Sequence, residues 1–437
     1  MRAFNIVAAA TIGHILEFYD FTIYAVFSVK IGELFFPNSS PLIQILSSLG
    51  IFAVGFLMRP LGGLIFGHIG DKLGRRTALT VSVVIMAVAT FLIGLMPDYQ
   101  TIGILAPILL ILCRLVQGIC VGGEGAGASI FIMEHLNKIK PGLIGGIVNA
   151  ALTLGILLAI VTGIVLNNIF GVESSAWRYA FILGGVLGIA GLYIRLKVEE
   201  TPAFEKIISE NKVVELPIKA ALNTNLKNVI FTIALGAITS TAAYSVMTFL
   251  NIFLHKIVGY DTNTALYYSA FANLSLVVLL PLMGVFSDRF GYGKTMAYSC
   301  VLMMLFSIPI YQMIASGIMI TTLLGILALS TLVAMNYAPL YPVMINLFPP
   351  EQRYSGIAFS LNIGIAIFGG TSTMVCLYLV EKTQIIYAGA FFLDGVCALF
   401  LTTLYLTKKD KFKKYFFLRR LKELEFSINT ENQQSSL

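Results

Sequence analysis

Gly67-His68-Ile69-Gly70-Asp71-Lys72-Leu73-Gly74-Arg75-Arg76 closes one long apolar run, and Gly284-Val285-Phe286-Ser287-Asp288-Arg289-Phe290-Gly291-Tyr292-Gly293-Lys294 closes another. Both stretches carry a glycine, an aspartate four residues on, a second glycine three further and a basic end. They start 217 residues apart in a chain of 437. Pro141-Gly142 echoes Ser355-Gly356 at an offset of 214, and Ala180-Phe181-Ile182-Leu183-Gly184 echoes Ala390-Phe391-Phe392-Leu393-Asp394 at 210. One offset kept, within a few residues, at three places indicates an internal duplication.

The duplicated unit is built for lipid. Of the chain, 57% is hydrophobic and only 12% charged, where a soluble domain carries about 25%. Apolar runs of about 20 residues, enough to cross the hydrocarbon core as helices, recur along the whole length. They show no period-two alternation, so the spanning elements are helices and not barrel strands. Twelve spans are expected, near 5–29, 42–66, 77–96, 101–133, 143–166, 177–195, 226–250, 265–283, 295–314, 318–345, 357–380 and 385–406. The expected fold class is an all-α membrane protein of two pseudo-symmetric six-helix bundles. The domains are 1–195, a cytoplasmic linker 196–225, 226–406, and a cytoplasmic tail 407–437. Glu17 and Asp20 inside the first run, with no clean small-residue cleavage site, exclude a signal peptide.

An even number of spans puts both termini on one side, and Lys and Arg choose it. Lys72, Arg75, Arg76, Lys138, Lys140, Arg289, Lys294, Arg353 and the cluster from Lys408 to Lys422 fall on the terminal side. Lys30, Arg178, Lys256 and Lys382 fall on the other. Both termini are therefore expected in the cytoplasm. This asymmetry accounts for the net charge of +7, so nucleic acid is not an expected partner. Five cysteines lie within apolar runs without metal spacing, and no metal or cofactor is expected.

The first loop resembles the G-x-x-x-D-x-x-G-R-[RK] signature of the major facilitator superfamily. A cytoplasmic gate is expected at Gly67, Asp71, Gly74, Arg75 and Arg76, with Asp288 and Arg289 from the second copy. A narrower resemblance runs through Glu17-Phe18-Tyr19-Asp20-Phe21, Arg59-Pro60-Leu61-Gly62-Gly63, Arg114-Leu115-Val116-Gln117-Gly118, Gly122-Gly123-Glu124 and Trp177-Arg178. It continues in Glu200-Thr201-Pro202-x-Phe204 and Phe348-Pro349-Pro350-x-x-Arg353-Tyr354-Ser355-Gly356. These are similar to the metabolite:proton symporter family, whose members carry proline and betaine, citrate, 2-oxoglutarate or shikimate. The resemblance implies the major facilitator fold, a bacterial inner membrane and solute uptake driven by protons. Two departures stand out. Gly125 replaces the tryptophan that usually follows the Gly-Gly-Glu glutamate. The tail from Lys408 lacks the sustained heptads of osmosensing carriers, so osmotic regulation is not expected.

Charges inside spans are expensive and face cavities or partners. His14, Glu17, Asp20 and Tyr24 follow helical spacing, and Glu17 and Asp20 lie on one face. Arg114, Gln117 and Glu124 form a second stripe. Asp394 is the acid inside the second half's spans. Glu17, Asp20, Tyr24, Arg114, Gln117, Glu124 and Asp394 are the expected proton-coupling or solute-binding residues. Arg114 suits a carboxylate, from the solute or from the first span. Arg59 is expected to snorkel to the cytoplasmic interface. Tyr244, Asn273, Asn336, Tyr337, Tyr341 and Asn362 are the neutral polar groups of the second half, and tyrosines can cradle a quaternary ammonium.

The expected function is proton-coupled import of a small zwitterion or organic acid, with proline or glycine betaine first. A 2-oxoglutarate or citrate carrier is the alternative, disfavoured because Arg114 is the one well-placed cation. A solute-sensing receptor would need a signalling domain that the short tail does not supply. An enzyme would need a nucleophile elbow, metal cluster or phosphate loop, and none is written here. A monomer is expected.

Overall fold

The computed structural model describes residues 3–38, 40–136, 140–171 and 174–407. Lys138 and the tail cluster from Lys408 lie outside the described residues. Among those described, every regular element is helical. The first half comprises α1 (Ala3–Val26), α2 (Pro41–Lys72), α3 (Arg75–Leu95), α4 (Leu105–His135), α5 (Pro141–Phe170) and α6 (Trp177–Leu196). The second comprises α7 (Pro217–Val258), α8 (Thr262–Phe290), α9 (Tyr292–Ile314), α10 (Met319–Ile345), α11 (Pro350–Thr383) and α12 (Gly389–Thr407). Eleven are long and apolar enough to cross a membrane, and the 32-residue α2 is the twelfth long helix.

The starts follow from sequence. Proline opens α2, α5, α7 and α11, where its missing N–H has no intrahelical partner to lose. Gly74 and Gly291, equivalent in the two motif copies, sit at φ of 114° and 95° and cap the following helix. That left-handed backbone favours glycine, which is why the repeat keeps one at this place. Large apolar side chains such as Val88, Leu105, Ile189, Leu305 and Leu399 point outward, as a lipid-facing surface requires.

The charged stretch 196–225 is more ordered than a bare linker. It holds a short helix, Pro202–Ser209, whose Phe204 and Ile207 are buried. Helix α7 already begins at Pro217 and kinks at Asn225, eight or so residues before the apolar run. Hydropathy marks where lipid begins, whereas helix geometry continues beyond it.

The halves meet along two equivalent seams, α2 against α11 and α5 against α8. Small residues let the backbones touch. A Cβ on Gly63 would lie 2.6 Å from the Ala358 carbonyl, and one on Gly67 would lie 2.6 Å from the Ser355 Cα. Gly142 and Gly284 face one another's carbonyls in the same way across the second seam. Helices α7 and α11 loosen into π-helical turns at Ser245–Phe249, Phe253–Val258 and Ile365–Gly369. Such turns mark functional bends in otherwise regular helices.

Candidate functional site

The motif loops lie at one end of the bundle, hereafter the motif face. Asp71 accepts the backbone N–H of Tyr354 at 3.1 Å and of Ser355 at 2.8 Å, in the first turn of α11's second segment. Asp288 accepts the N–H of Gly142 at 2.9 Å and of Leu143 at 3.0 Å, in the first turn of α5. Each aspartate thus caps a helix of the opposite half, where orphan donors and the helix dipole favour an anion. The echo of Pro141-Gly142 with Ser355-Gly356 is the echo of these two docking sites.

Arg75 ties the face together. Its guanidinium donates to the Gly70 carbonyl at 2.7 Å and across the seam to the Pro350 carbonyl at 2.6 Å, and lies 3.4 Å from Asp71. Its Nε reaches Glu134 at 3.3 Å. Glu134 also accepts from Arg353 of the second half at 2.8 Å and from Thr201 at 2.8 Å. Glu200 accepts the backbone N–H groups of Arg75 and Arg76, and Phe204 lies beneath the Arg75 guanidinium. The Arg76 side chain donates to the Leu196 carbonyl at 2.8 Å. Arg289 is exposed and stands outside this network. Sequence reasoning did not single out Glu134, since a lone acid at the end of a span looks like an ordinary surface charge.

The two stripes in α1 and α4 become two separate clusters. Asp20 accepts from the Thr90 hydroxyl, to which Gln117 also donates at 2.7 Å. Arg114 lies face-on over Tyr24, 3.8 Å from the ring centroid, with Phe21 and Phe181 about 6 Å off on other sides. Among the described residues no acceptor bonds any of its three nitrogens. Tyr24 donates to the Ser48 carbonyl at 3.1 Å. Glu124 lies in the second cluster, in a buried ion pair with Arg195 that also takes the Ser82 hydroxyl at 2.8 Å. Arg195 further donates to the Ala9 and Leu79 carbonyls. By sequence Arg195 closes the sixth span; in the structure it is enclosed within the bundle, held there by an acid that needs a counterion.

Between the halves lies a third cluster. Glu17 is 1% exposed, with His14 Nδ1 at 3.5 Å. A cavity of about 20 Å³ is lined by Phe18 and Arg59 of the first half and by Thr239, Tyr244 and Tyr337 of the second. That volume holds about one water. Arg59 does not snorkel to an interface. It is buried, donates to Asn362 across the seam at 3.1 Å, and passes over Phe18 and Phe56. Nearness to the gate loop suggested an interfacial residue, but packing against the second half encloses it. Tyr244, Tyr337 and Tyr341 all lie within electrostatic reach of both Arg59 and Glu17. Asp394 stands apart, half-buried, accepting from Ser307 of α9 at 3.0 Å. Among the described residues no group of three His, Cys, Asp or Glu side chains could hold a metal.

Comparison with known proteins agrees with the membrane-spanning helical architecture. The family model of the Major Facilitator Superfamily matches residues 10–371. A glycine betaine/proline/ectoine/pipecolic acid transporter of Dickeya dadantii is 32% identical over 409 residues, covering 91% of this chain and 81% of its own. A proline/betaine transporter of Escherichia coli is likewise 32% identical over 409 residues, covering 91% and 82%. A solved proton:xylose symporter bound to 6-bromo-6-deoxy-D-glucose superposes with a TM-score of 0.71 over 93% of this chain and 95% of its own, at 16% identity. That level of identity speaks for the fold alone. Family model, relatives and twelve-helix architecture converge: this multi-pass membrane chain belongs to the Major Facilitator Superfamily of transporters.

Proposed function

We propose that the chain is a proton-coupled symporter that imports proline, glycine betaine or a similar small zwitterion by alternating access. One observation carries the reading. Glu17 and Arg59, of opposite charge, are buried at the seam of the two halves among aromatic rings, and Glu17 Oε1 and Oε2 and an Arg59 terminal nitrogen find no bonding partner among the described residues. Arginine would take the solute carboxylate. Glu17 and the faces of Phe18, Tyr244 and Tyr337 would take its cationic nitrogen. A buried pair left this open is costly unless a ligand completes it. The relatives named as proline and betaine transporters support the same solute class.

Proton coupling is assigned to the first half, where Asp20, Tyr24, Arg114 and Gln117 form one buried cluster beside Glu17. The network at the motif face, with Asp71, Arg75 and Asp288, is the closed inner gate, and the site would load from the opposite side. The skew of Lys and Arg supports placing both termini in the cytoplasm of a bacterium and the spans in its inner membrane. The partners are then the solute, protons and lipid, with the single chain as the working unit.

The test is uptake by purified protein in liposomes under an inward proton gradient. The panel is proline, glycine betaine, 2-oxoglutarate and citrate, each with and without an uncoupler. Uncoupler-sensitive accumulation of the zwitterions is expected. Accumulation of the organic acids instead would overturn the solute assignment.

A further inference from the structure

We propose that His14 and Glu17 act as a single proton-binding pair on the first-half wall of the solute site, so that a histidine carries part of the coupling in this chain. The inference rests on the reading of the protein as a proton-coupled carrier.

Four polar atoms define the pair: both ring nitrogens of His14 and both carboxylate oxygens of Glu17. All are buried, and among the described residues none has a hydrogen-bond partner. The closest approach is 3.5 Å, between Nδ1 and a carboxylate oxygen, one helical turn apart on α1. The ring also packs against Phe18, centroids 5.4 Å apart. Glu124, by contrast, is held by Arg195, and Asp20 accepts from Thr90 through one oxygen while its other oxygen and the three Arg114 nitrogens stay open among the described residues.

The surroundings decide what such a pair can do. From α2 it faces Arg59; from α4, Glu124 and Cys120; from α6, Arg195, whose charge Glu124 neutralises. From the second half Tyr244, Tyr337 and Tyr341 face it, and Asp20 lies one turn along α1. The α5 helix packs on α1 and carries no titratable side chain. With one proton between them, His14 and Glu17 are neutral as a unit, either as imidazole and carboxylic acid or as imidazolium and carboxylate. When a cationic solute nitrogen approaches Glu17, the carboxylate form is favoured and the shared proton sits on His14. The proton stays within the loaded carrier while the carboxylate faces the solute.

Gly125 makes this placement possible. A Cβ there would lie 2.8 Å from His14 Cε1 and 2.8 Å from the Tyr341 hydroxyl. A large side chain at position 125 would fill the space that the His14 ring and the Tyr341 hydroxyl border. The departure at Gly125 and the histidine at position 14 therefore belong together.

The chain contains four histidines, so histidine labelled with nitrogen-15 gives four sets of signals, and His14→Gln assigns the one in question. The full-length protein in lipid nanodiscs is compared at one pH as wild type and as Glu17→Gln. The His14 ring-nitrogen signals are expected to move between the two, because the Glu17 carboxylate lies 3.5 Å from Nδ1. This readout needs no solute, so it stands apart from the solute assignment. In liposomes with a one-unit inward pH gradient, each carried proton supports about tenfold accumulation, and His14→Gln is expected to lose that factor. Gly125→Ala, which displaces the ring and leaves both titratable groups in place, should shift the same His14 signal. His14 signals unmoved by Glu17→Gln, or wild-type accumulation by His14→Gln, would overturn the proposal.

Discussion

Asp71 accepts the backbone N–H of Ser355 at 2.8 Å across the seam between the halves. Asp288 accepts that of Gly142 at 2.9 Å in the pseudo-symmetric direction. Replacing Asp71 by Asn removes the charge from one of two matched caps. Each charge-assisted bond of this kind contributes about 1.5 kcal/mol or more, roughly a tenfold change in an equilibrium. Asp71→Asn and Asp288→Asn should therefore each shift the carrier toward a state open at the motif face. Distances between spin labels placed on α2 and α11 at that face would report the shift. Unchanged distributions in both variants would show that the caps do not hold the face closed.

Glu134 is the junction of Arg75, Arg353 and Thr201. Glu134→Gln leaves two arginines short of an acceptor in a nearly dry place. The expected outcome is an opened motif face, as for Asp71→Asn. The effect should not add fully to that of Arg353→Gln, since both remove the same contact. Additive effects would place Glu134 outside the latch.

The Glu124–Arg195 pair invites a different test. Removing one partner of a buried ion pair costs about 3 kcal/mol or more, because the other charge stays behind. Glu124→Gln should lower the apparent Tm in detergent, and Glu124→Gln with Arg195→Met should regain most of the loss. If Glu124→Gln is as stable as wild type yet loses gradient-driven uptake, Glu124 serves proton coupling and not the frame.

Asp20 and Arg114 are assigned to coupling. Asp20→Asn should raise the ratio of solute counterflow to gradient-driven accumulation. Arg114→Lys should lower both, since an ammonium cannot reproduce the flat stacking of the guanidinium on Tyr24. Gradient-driven accumulation at the wild-type level by Asp20→Asn would move the proton elsewhere, with the His14–Glu17 pair the first place to look.

Much of this architecture was legible in the sequence because the chain repeats itself. The duplicated Asp71 and Asp288 motifs and the echo of Pro141-Gly142 with Ser355-Gly356 announced two halves; that each motif docks on the echo in the other half came from the structure. The stripe of Glu17, Asp20 and Tyr24 was readable from helical spacing alone. Depth and partnership were not. Arg59 was placed at the interface because it lies near the gate loop, whereas packing against the second half encloses it. Arg195 closed the expected sixth span without a visible partner, yet Glu124, 71 positions earlier, holds it inside the bundle. Glu134 carried no local signal at all, since its three partners come from α3, the linker and the second half. Pairings at such separations depend on which helices the fold brings side by side.

The central claim is that Glu17 and Arg59 read both charges of one small solute. It is tested most directly by competition against labelled proline binding to the purified carrier, with glycine betaine, choline and 3,3-dimethylbutyrate as competitors. Choline lacks the carboxylate. In 3,3-dimethylbutyrate carbon replaces the cationic nitrogen within the same shape. Glycine betaine should compete well and the other two at least about a hundredfold less well, each missing charge leaving a buried partner unsatisfied. Competition by 3,3-dimethylbutyrate as strong as that by glycine betaine would contradict the account, for the site would then recognise an organic acid and not a zwitterion.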